Sequence, residues 1–177
     1  MRRNPGPRLA ASLEVMPLPQ LCDRLETRQQ VLLRCELARL EALIQAIIAK
    51  AERVSPQLRR LEKAFKVFRL RLIAHLRDEA QVVFPQARRP KGVASGKTAS
   101  VQLLRRRAAR WKQQHFEVDE AIAELRSLAN EVAAAPAASG QSRVLRLALA
   151  RFERLIHEQM YEENRFLFPR ALTGRPA

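Results

Sequence analysis

The feature that most constrains the fold of this chain is an apolar spacing that alternates between three and four residues. The spacing recurs in four segments, at about residues 20–53, 56–83, 100–134 and 141–168. Helices that bury one face against other helices have this spacing, because residues three and four apart lie on the same side of a helix. Short links separate the segments. The pattern therefore predicts an all-α fold, an up-down-up-down four-helix bundle.

The composition agrees with a single helical domain, since 47% of the 177 residues are hydrophobic and only 5 are glycine. We expect a flexible N-terminal arm at residues 1–19, the bundle at 20–170 and a C-terminal tail at 171–177. No apolar run has the length of a signal peptide core or a membrane span. We therefore expect a cytoplasmic protein with no membrane partner, in which Cys22 and Cys35 stay reduced.

One stretch of the second predicted helix is repeated near the C-terminus. HLRDEAQVVFP begins at His75, and QMYEENRFLFP begins at Gln159. Glu79 and Glu163 occupy the same position in the two stretches, and both stretches close on Phe-Pro. The inward-facing positions of the two helices also superpose when they are shifted by the same number of residues that separates His75 from Gln159. The sequence therefore predicts an internal repeat, with one copy in each half of a pseudo-symmetric bundle.

Each of the four predicted helices places at least one polar residue on its apolar face. In chain order these residues are Gln30, His75, Glu79, His115, Gln159 and Glu163. Burying such groups is costly unless they are hydrogen-bonded or bind a ligand. Two imidazoles and two carboxylates at one level of a bundle are a typical donor set for metal ions. We therefore predict a metal site, and the alternative is a metal-free hydrogen-bonded network of the same side chains.

The third histidine, His157, is a weaker candidate ligand. It lies two residues before Gln159, which turns it by about 200° around the helix and toward solvent. A pairing of His157 with Glu162 is a second option, available only if the helix is rotated.

These motifs resemble the hemerythrin-like HHE cation-binding family, nearest to the branch of di-iron proteins that repair iron–sulfur centres. The resemblance covers about residues 20–170 and rests on HLRDEAQVVFP and EENRFLFP. It implies a four-helix bundle whose two iron ions bind or sense oxygen, nitric oxide or peroxide, or handle iron. His75, Glu79, His115 and Glu163 match ligands of the family, in which the two carboxylates bridge the metal ions.

Gln30 and Gln159 stand at the two remaining histidine positions of the family pattern. If each iron takes its histidines from one pair of helices, as in the family, each metal position keeps one histidine and has one glutamine. A glutamine oxygen is a weaker ligand for iron than an imidazole nitrogen, and it suits a harder ion such as manganese. We therefore expect a degenerate ligand set for two iron ions, with manganese or no metal as alternatives.

The formal net charge of +15 attracts polyanions without specificity. Many of the basic residues lie on the second and third predicted helices and in the loop between them: Arg59, Arg60, Lys63, Lys66, Arg69, Arg105, Arg106, Arg107, Arg110, Lys112 and residues 86–99. A solvated helix surface explains this basic surface. The alternative function is a metal-free binding module for an acidic protein or nucleic acid. Because no nucleophile–base pair is visible, a binding protein is favoured over an enzyme.

Overall fold

The structure is a computed structural model of the chain, and it describes residues 7–88, 99–135 and 140–173. Helices connected by short turns form this part of the chain, which contains no strand. The prediction of an all-α fold is confirmed. The α-helices are α1 (Pro7–Val15), α2 (Leu18–Val31), α3 (Leu37–Lys50), α4 (Pro56–Asp78), α5 (Phe84–Ala87), α6 (Ala99–Ala134), α7 (Gly140–Glu162) and α8 (Phe168–Thr173). The π-helical turns are π1 (Leu32–Glu36), π2 (Glu79–Val83) and π3 (Glu163–Leu167).

The described residues form two compact units. The first unit contains the described parts of Met1–Gln29, His75–His115 and Ile156–Ala177. The second unit contains Gln30–Ala74 and the described part of Phe116–Leu155. Each unit has its own buried apolar side chains, and the polar cluster described below belongs to the first.

The core of the first unit is built around aromatic and aliphatic side chains from five α-helices and two π-helical turns. Its buried members are Leu13, Leu21, Cys22, Leu25, Val83, Phe84, Ala87, Ala108, Trp111, Phe166, Leu167 and Phe168. Burial raises the pKa of the Cys22 thiol to about 11, so this thiol stays protonated at neutral pH and is a poor nucleophile. The core therefore supplies a dry environment in which any polar side chain must find a partner.

The second unit buries apolar positions that the spacing predicts. Leu61, Phe65 and Leu72 of α4 are all buried. The ring of Phe68 meets that of Phe152 edge to face, with 5.7 Å between their centroids. Such aromatic pairs stabilise a core by about 0.5–1.5 kcal/mol beyond the burial of their area.

Helix α4 begins where the sequence predicts, at Pro56. The hydroxyl of Ser55 accepts a hydrogen bond from the backbone N–H of Leu58 at 3.2 Å, which is an N-cap. A proline at the first helical position costs nothing here, since its missing N–H would have had no partner in the helix. Ala51, which follows α3, is extended (φ −78°, ψ 122°), so α3 and α4 are separate helices.

The described part of the predicted N-terminal arm is helical, which corrects the expectation of a loose segment. Helix α1 buries Leu13, and the guanidinium of Arg170 donates to the carbonyl oxygens of Leu13 (3.3 Å) and Met16 (2.7 Å). The last carbonyls of a helix need such donors, and arginine provides them from a distant part of the chain. Residues 1–6 lie outside the described residues, as do 174–177 of the predicted C-terminal tail.

Both Phe-Pro pairs lie inside helical structure, although the sequence predicts that the helices stop there. Phe84 and Phe168 each donate a backbone N–H to the carbonyl five residues earlier, that of Glu79 and Glu163. A proline normally breaks a helix because its ring meets the carbonyl four residues before it. The wider π-helical turn directly before each proline shifts that carbonyl, so the chain continues into α5 and α8.

Across the described ranges, no helix combines the length and apolar character that crossing a membrane requires.

Candidate metal centre

Two histidines and two glutamates meet in the first unit. His75 lies near the end of α4, Glu79 begins π2, His115 lies in the middle of α6 and Glu163 begins π3. All four side chains are buried, and neither carboxylate has any exposed surface. One ligand atom of each side chain lies within 4.8 Å of those of the other three, and this is the potential metal-binding cluster found among the described residues. The sequence predicts all four of these residues.

The nitrogens and oxygens of the cluster approach one another closely. The Nε2 atoms of His75 and His115 are 3.1 Å apart. His75 Nε2 lies 3.3 Å from Glu79 Oε1, and His115 Nε2 lies 3.3 Å from Glu163 Oε2 and 3.7 Å from Glu79 Oε1. Glu79 Oε1 therefore faces both imidazoles, and Glu163 Oε2 faces that of His115.

The other oxygen of each carboxylate accepts a hydrogen bond from a buried glutamine. Gln159 Nε2 donates to Glu163 Oε1. Gln29 Nε2 donates to Glu79 Oε2 at 2.8 Å. The structure thus places the predicted Gln159 in the centre. It does not place Gln30 there, because Gln30 is exposed and its neighbour Gln29 occupies the position.

The π1 turn explains why the prediction for the first helix is wrong by one residue. The backbone N–H of Leu37 bonds to the carbonyl of Leu32, five residues earlier, so this turn contains one residue more than an α-helical turn. Counting back from Leu37 in steps of three and four places Gln30 on the inner face. The extra residue moves the inner face to Gln29. The same shift at π2 buries Val83, whereas the regular spacing predicts Val82.

The outer nitrogen of each imidazole has a polar partner that sequence reasoning missed. His75 Nδ1 lies 3.1 Å from Gln114 Oε1 and can donate a hydrogen bond to it. The Nε2 nitrogen then has no proton, and its lone pair faces the cluster. His115 Nδ1 lies 2.9 Å from Asn164 Nδ2. When Nδ1 of His115 carries a proton, the Asn164 amide must turn to present its oxygen. The one sequence feature that points to these partners is their position, because Gln114 directly precedes His115 and Asn164 directly follows Glu163.

Burial and mutual proximity shift the pKa values of three members of the cluster. Burial, helped by His115, lowers the pKa of His75 to about 4. Burial and the Glu163 carboxylate raise the pKa of Glu79 to about 8. Burial alone would lower the pKa of His115, but its interactions with Glu163 and Glu79 prevail and raise this pKa to about 10. At neutral pH the metal-free cluster therefore keeps a proton on Glu79 and a charge on His115.

Three oxygens of the centre are buried without a hydrogen-bond donor: Glu79 Oε1, Glu163 Oε2 and Gln159 Oε1. A buried acceptor without a donor costs about 1–3 kcal/mol, and more when it is charged. A cation at this position would satisfy the two carboxylate oxygens, and the imidazole Nε2 atoms beside them are further ligands of the same kind of ion. The residues present therefore fit a metal ion.

The carboxylates next to the cluster differ from Glu79 and Glu163 because they pair with arginines. Glu162 is also buried, but it accepts hydrogen bonds from Arg24 Nε (2.9 Å) and Nη2 (3.0 Å) and from Arg28 Nη2 (2.9 Å). Asp78 accepts from Trp111 Nε1 at 2.8 Å and from Arg107. An arginine neutralises each of these carboxylates. In the described part of the chain, no arginine contact is recorded for the cluster's glutamates.

His157 takes no part in this centre. It is half-buried on α7, where the sequence predicts a side chain facing solvent, and it is not a member of the four-residue cluster. Glu162, the carboxylate of its other predicted option, accepts hydrogen bonds from Arg24 and Arg28.

Comparison with known protein families agrees with this geometry. The family model described as the hemerythrin HHE cation-binding domain matches residues 31–171, which is most of the chain. The chain belongs to the hemerythrin HHE cation-binding domain family. Membership in this family confirms the predicted hemerythrin-like bundle and agrees with a metal-binding cluster of histidines and glutamates. A comparison with curated proteins gives no match.

Proposed function

We propose that this hemerythrin-like protein is a non-haem iron protein that binds or senses a small molecule such as oxygen, nitric oxide or peroxide, or handles iron. One observation carries the proposal: buried imidazole nitrogens converge with carboxylate oxygens that have no hydrogen-bond donor. In an apolar core, such oxygens are stable only when a cation or a proton neutralises them. The family match supports the cation.

The side chains have separate tasks in this proposal. His75 and His115 would bind the metal through Nε2, since their Nδ1 atoms contact Gln114 and Asn164. Glu79 would bind through Oε1 and Glu163 through Oε2. When bound, iron would supply a redox-active Lewis acid that can coordinate a small ligand.

Aromatic rings close one side of the centre. The ring of Phe168 stacks on His115 with 5.9 Å between centroids, and Trp111 stacks on Phe168 at 5.3 Å. Trp111 is itself held by its hydrogen bond to Asp78. These rings fix the plane of the His115 imidazole and keep water away from its face, which strengthens the electrostatic interactions of the ligands.

Metal analysis of the purified protein tests the proposal. The protein would be expressed with added iron, and its metal content would be measured beside that of His75→Gln and Glu163→Gln. Glutamine already occupies the matched position Gln159, so His75→Gln is a mild change that the fold is expected to accept. His157→Gln on α7 is the matched control, because this histidine lies outside the cluster.

We expect iron in the wild type and in His157→Gln, and loss of most of it in the other two variants, each shown to be folded by circular dichroism. Wild-type protein that takes up neither iron nor manganese would refute the proposal. Unchanged iron in both His75→Gln and Glu163→Gln would also refute it, because the metal would then bind elsewhere.

A further inference from the structure

We infer that this centre is built for a single metal ion, held by His75, Glu79, His115 and Glu163, and that the Gln29 and Gln159 amides replace a second ion. The inference rests on the proposed metal-binding function and adds the number of ions to it. It departs from the two iron ions that the family resemblance implies. Three independent features of the described residues lead to it.

The first feature is the spacing of the nitrogens and oxygens that face one another. First-row ions bind such atoms at about 2.0–2.2 Å, so neighbouring ligands of one ion lie about 3.0–3.4 Å apart. The distances of 3.1 Å between the two Nε2 atoms and 3.3 Å from each Nε2 to a carboxylate oxygen lie in this range, and the 3.7 Å from His115 Nε2 to Glu79 Oε1 lies above it. The Nε2 atoms are also closer together than the two ions of a dinuclear centre, which lie about 3.5–4 Å apart.

The second feature is the use of the carboxylate oxygens. A carboxylate that bridges two ions in the common two-oxygen mode uses both of its oxygens for metal. Glu79 Oε2 already accepts a hydrogen bond from Gln29, and Glu163 Oε1 accepts one from Gln159. Each carboxylate therefore has one oxygen left for an ion, Oε1 of Glu79 and Oε2 of Glu163, and these are the two without a hydrogen-bond donor.

The third feature is charge. Two ionised carboxylates balance one divalent ion, and the neutral imidazoles add no charge. A second divalent ion would add two positive charges that no carboxylate of the cluster balances, so a hydroxide or another anion would have to enter the buried site with it. The nearby acids cannot compensate, because arginines already neutralise Glu162 and Asp78.

Metal titration of the intact protein, with a spectroscopic readout, tests the inference. Metal-free protein would be titrated with Mn²⁺ and, without oxygen, with Fe²⁺. The bound metal would be counted by elemental analysis after removal of excess. Electron paramagnetic resonance of the Mn²⁺ form distinguishes an isolated ion from a magnetically coupled pair. The same measurements would be made on the double variant Gln29→His/Gln159→His and on the matched control Gln30→His/Gln159→His.

We expect one equivalent and an isolated-ion signal in the wild type. The double variant should take up two equivalents and show a coupled pair, because imidazoles replace both amide donors. The control Gln30→His/Gln159→His should bind fewer than two equivalents of metal, since Gln30 is exposed.

Two equivalents with a coupled signal in the wild type would overturn the inference but not the proposed function. No bound metal in the wild type would overturn both. A double variant that is folded and still holds only one ion would overturn the assignment of the glutamines.

Discussion

Gln29 and Gln159 illustrate how one side chain changes the chemistry of a buried carboxylate. An imidazole at either position would offer a lone pair to a metal, whereas the glutamine amide offers an N–H to the carboxylate itself. Gln29 does so for Glu79 and Gln159 for Glu163. The glutamines thereby stabilise the two glutamates without any metal. Each glutamate keeps one carboxylate oxygen that accepts no hydrogen bond.

The pair Gln29 and Gln30 provides a sharp test of this arrangement. Gln29→Leu removes the donor to Glu79 Oε2, so we expect the metal-free protein to lose about 1–3 kcal/mol of unfolding free energy. Gln30→Leu changes an exposed side chain, and its effect should stay within about 0.5 kcal/mol. Urea unfolding followed by circular dichroism measures both. Equal effects, or a larger effect of Gln30→Leu, would contradict the placement of Gln29.

The pKa shifts of the cluster predict how the stability of the metal-free protein depends on pH. The folded-state pKa values of Glu79 (about 8) and His115 (about 10) lie above the ordinary values of these groups, 4.5 and 6.5. Above about pH 6.5 the native protein therefore holds two protons that the unfolded chain has released, and stability falls as pH rises. From about pH 8 to 10 only the His115 contribution remains to be lost.

His75 acts in the opposite direction. Its folded-state pKa of about 4 lies below the ordinary histidine value of 6.5, so its contribution to stability is present above pH 6.5 and is lost as the pH falls toward 4. Between about pH 4.5 and 6.5 the effects of His75 and Glu79 cancel. Urea unfolding from pH 5 to 10 should thus show a plateau and then a decline. In Glu79→Gln the part of the decline that ends near pH 8 should vanish; its persistence would contradict the assignment.

At the scale of the elements, the π-helical turns decide which residues face the centre. π2 and π3 begin at Glu79 and Glu163 themselves, and π1 lies just after the segment that carries Gln29. Each turn adds one residue to the helix, so the inner face before it and the inner face after it follow different counts. The same turns allow the helices to pass Pro85 and Pro169. At π2 and π3, one local change in the helix therefore both positions a glutamate of the cluster and lets the helix continue past the proline.

Helix α1 depends on a contact with another element. With nine residues, α1 is too short to be stable alone, and its last carbonyls are bonded by Arg170. One hydrogen bond from a charged donor contributes about 1.5–3 kcal/mol, so Arg170→Met, which removes two, should speed amide hydrogen exchange in α1 by at least roughly tenfold to a hundredfold.

A second arginine provides the control for this experiment. Arg165 is 64% exposed and its Nη2 lies 3.8 Å from Glu14 Oε1, a surface contact of little energetic weight. Arg165→Met should leave exchange in α1 nearly unchanged. Similar exchange rates in the two variants would show that α1 is held by apolar burial of Leu13 alone.

At the scale of the whole molecule, the net charge of +15 is the property that acts at long range. Part of the basic surface is already neutralised: Lys66 pairs with Glu62, and Arg107 with Asp78. Residues 89–98 and the side chain of Arg105 lie outside the described part of the chain. A partner for this surface, whether acidic protein or nucleic acid, therefore stays a prediction.

Salt dependence distinguishes a general attraction from a specific partner. We expect the protein to bind DNA and RNA at low ionic strength and to release both near 0.15 M salt, about the physiological value, without preference for sequence. The logarithm of the affinity should fall linearly with that of the salt concentration. Fluorescence anisotropy with labelled oligonucleotides measures this. Binding that survives physiological salt, or that prefers one sequence, would favour the binding-module function.

The sequence alone determined the helical character of the chain and most of the centre. His75, Glu79, His115, Gln159 and Glu163 are all buried as predicted, because within an unbroken helix the spacing of apolar residues defines one inner face. The repeat of the Phe-Pro stretch identified the two glutamates as equivalent. These are local properties, and local spacing is sufficient to predict them.

The tertiary structure alone decided what depends on contacts between distant segments. It placed Gln29 in the centre instead of Gln30, because the π-helical turn adds one residue and a regular count back through it ends on the wrong neighbour. It docked α1 through Arg170, a residue far away in the sequence. It also set the 3.1 Å between the two histidine nitrogens. Periodicity indicates the face of a helix on which a side chain lies, but only tertiary packing brings atoms of different helices to a given distance.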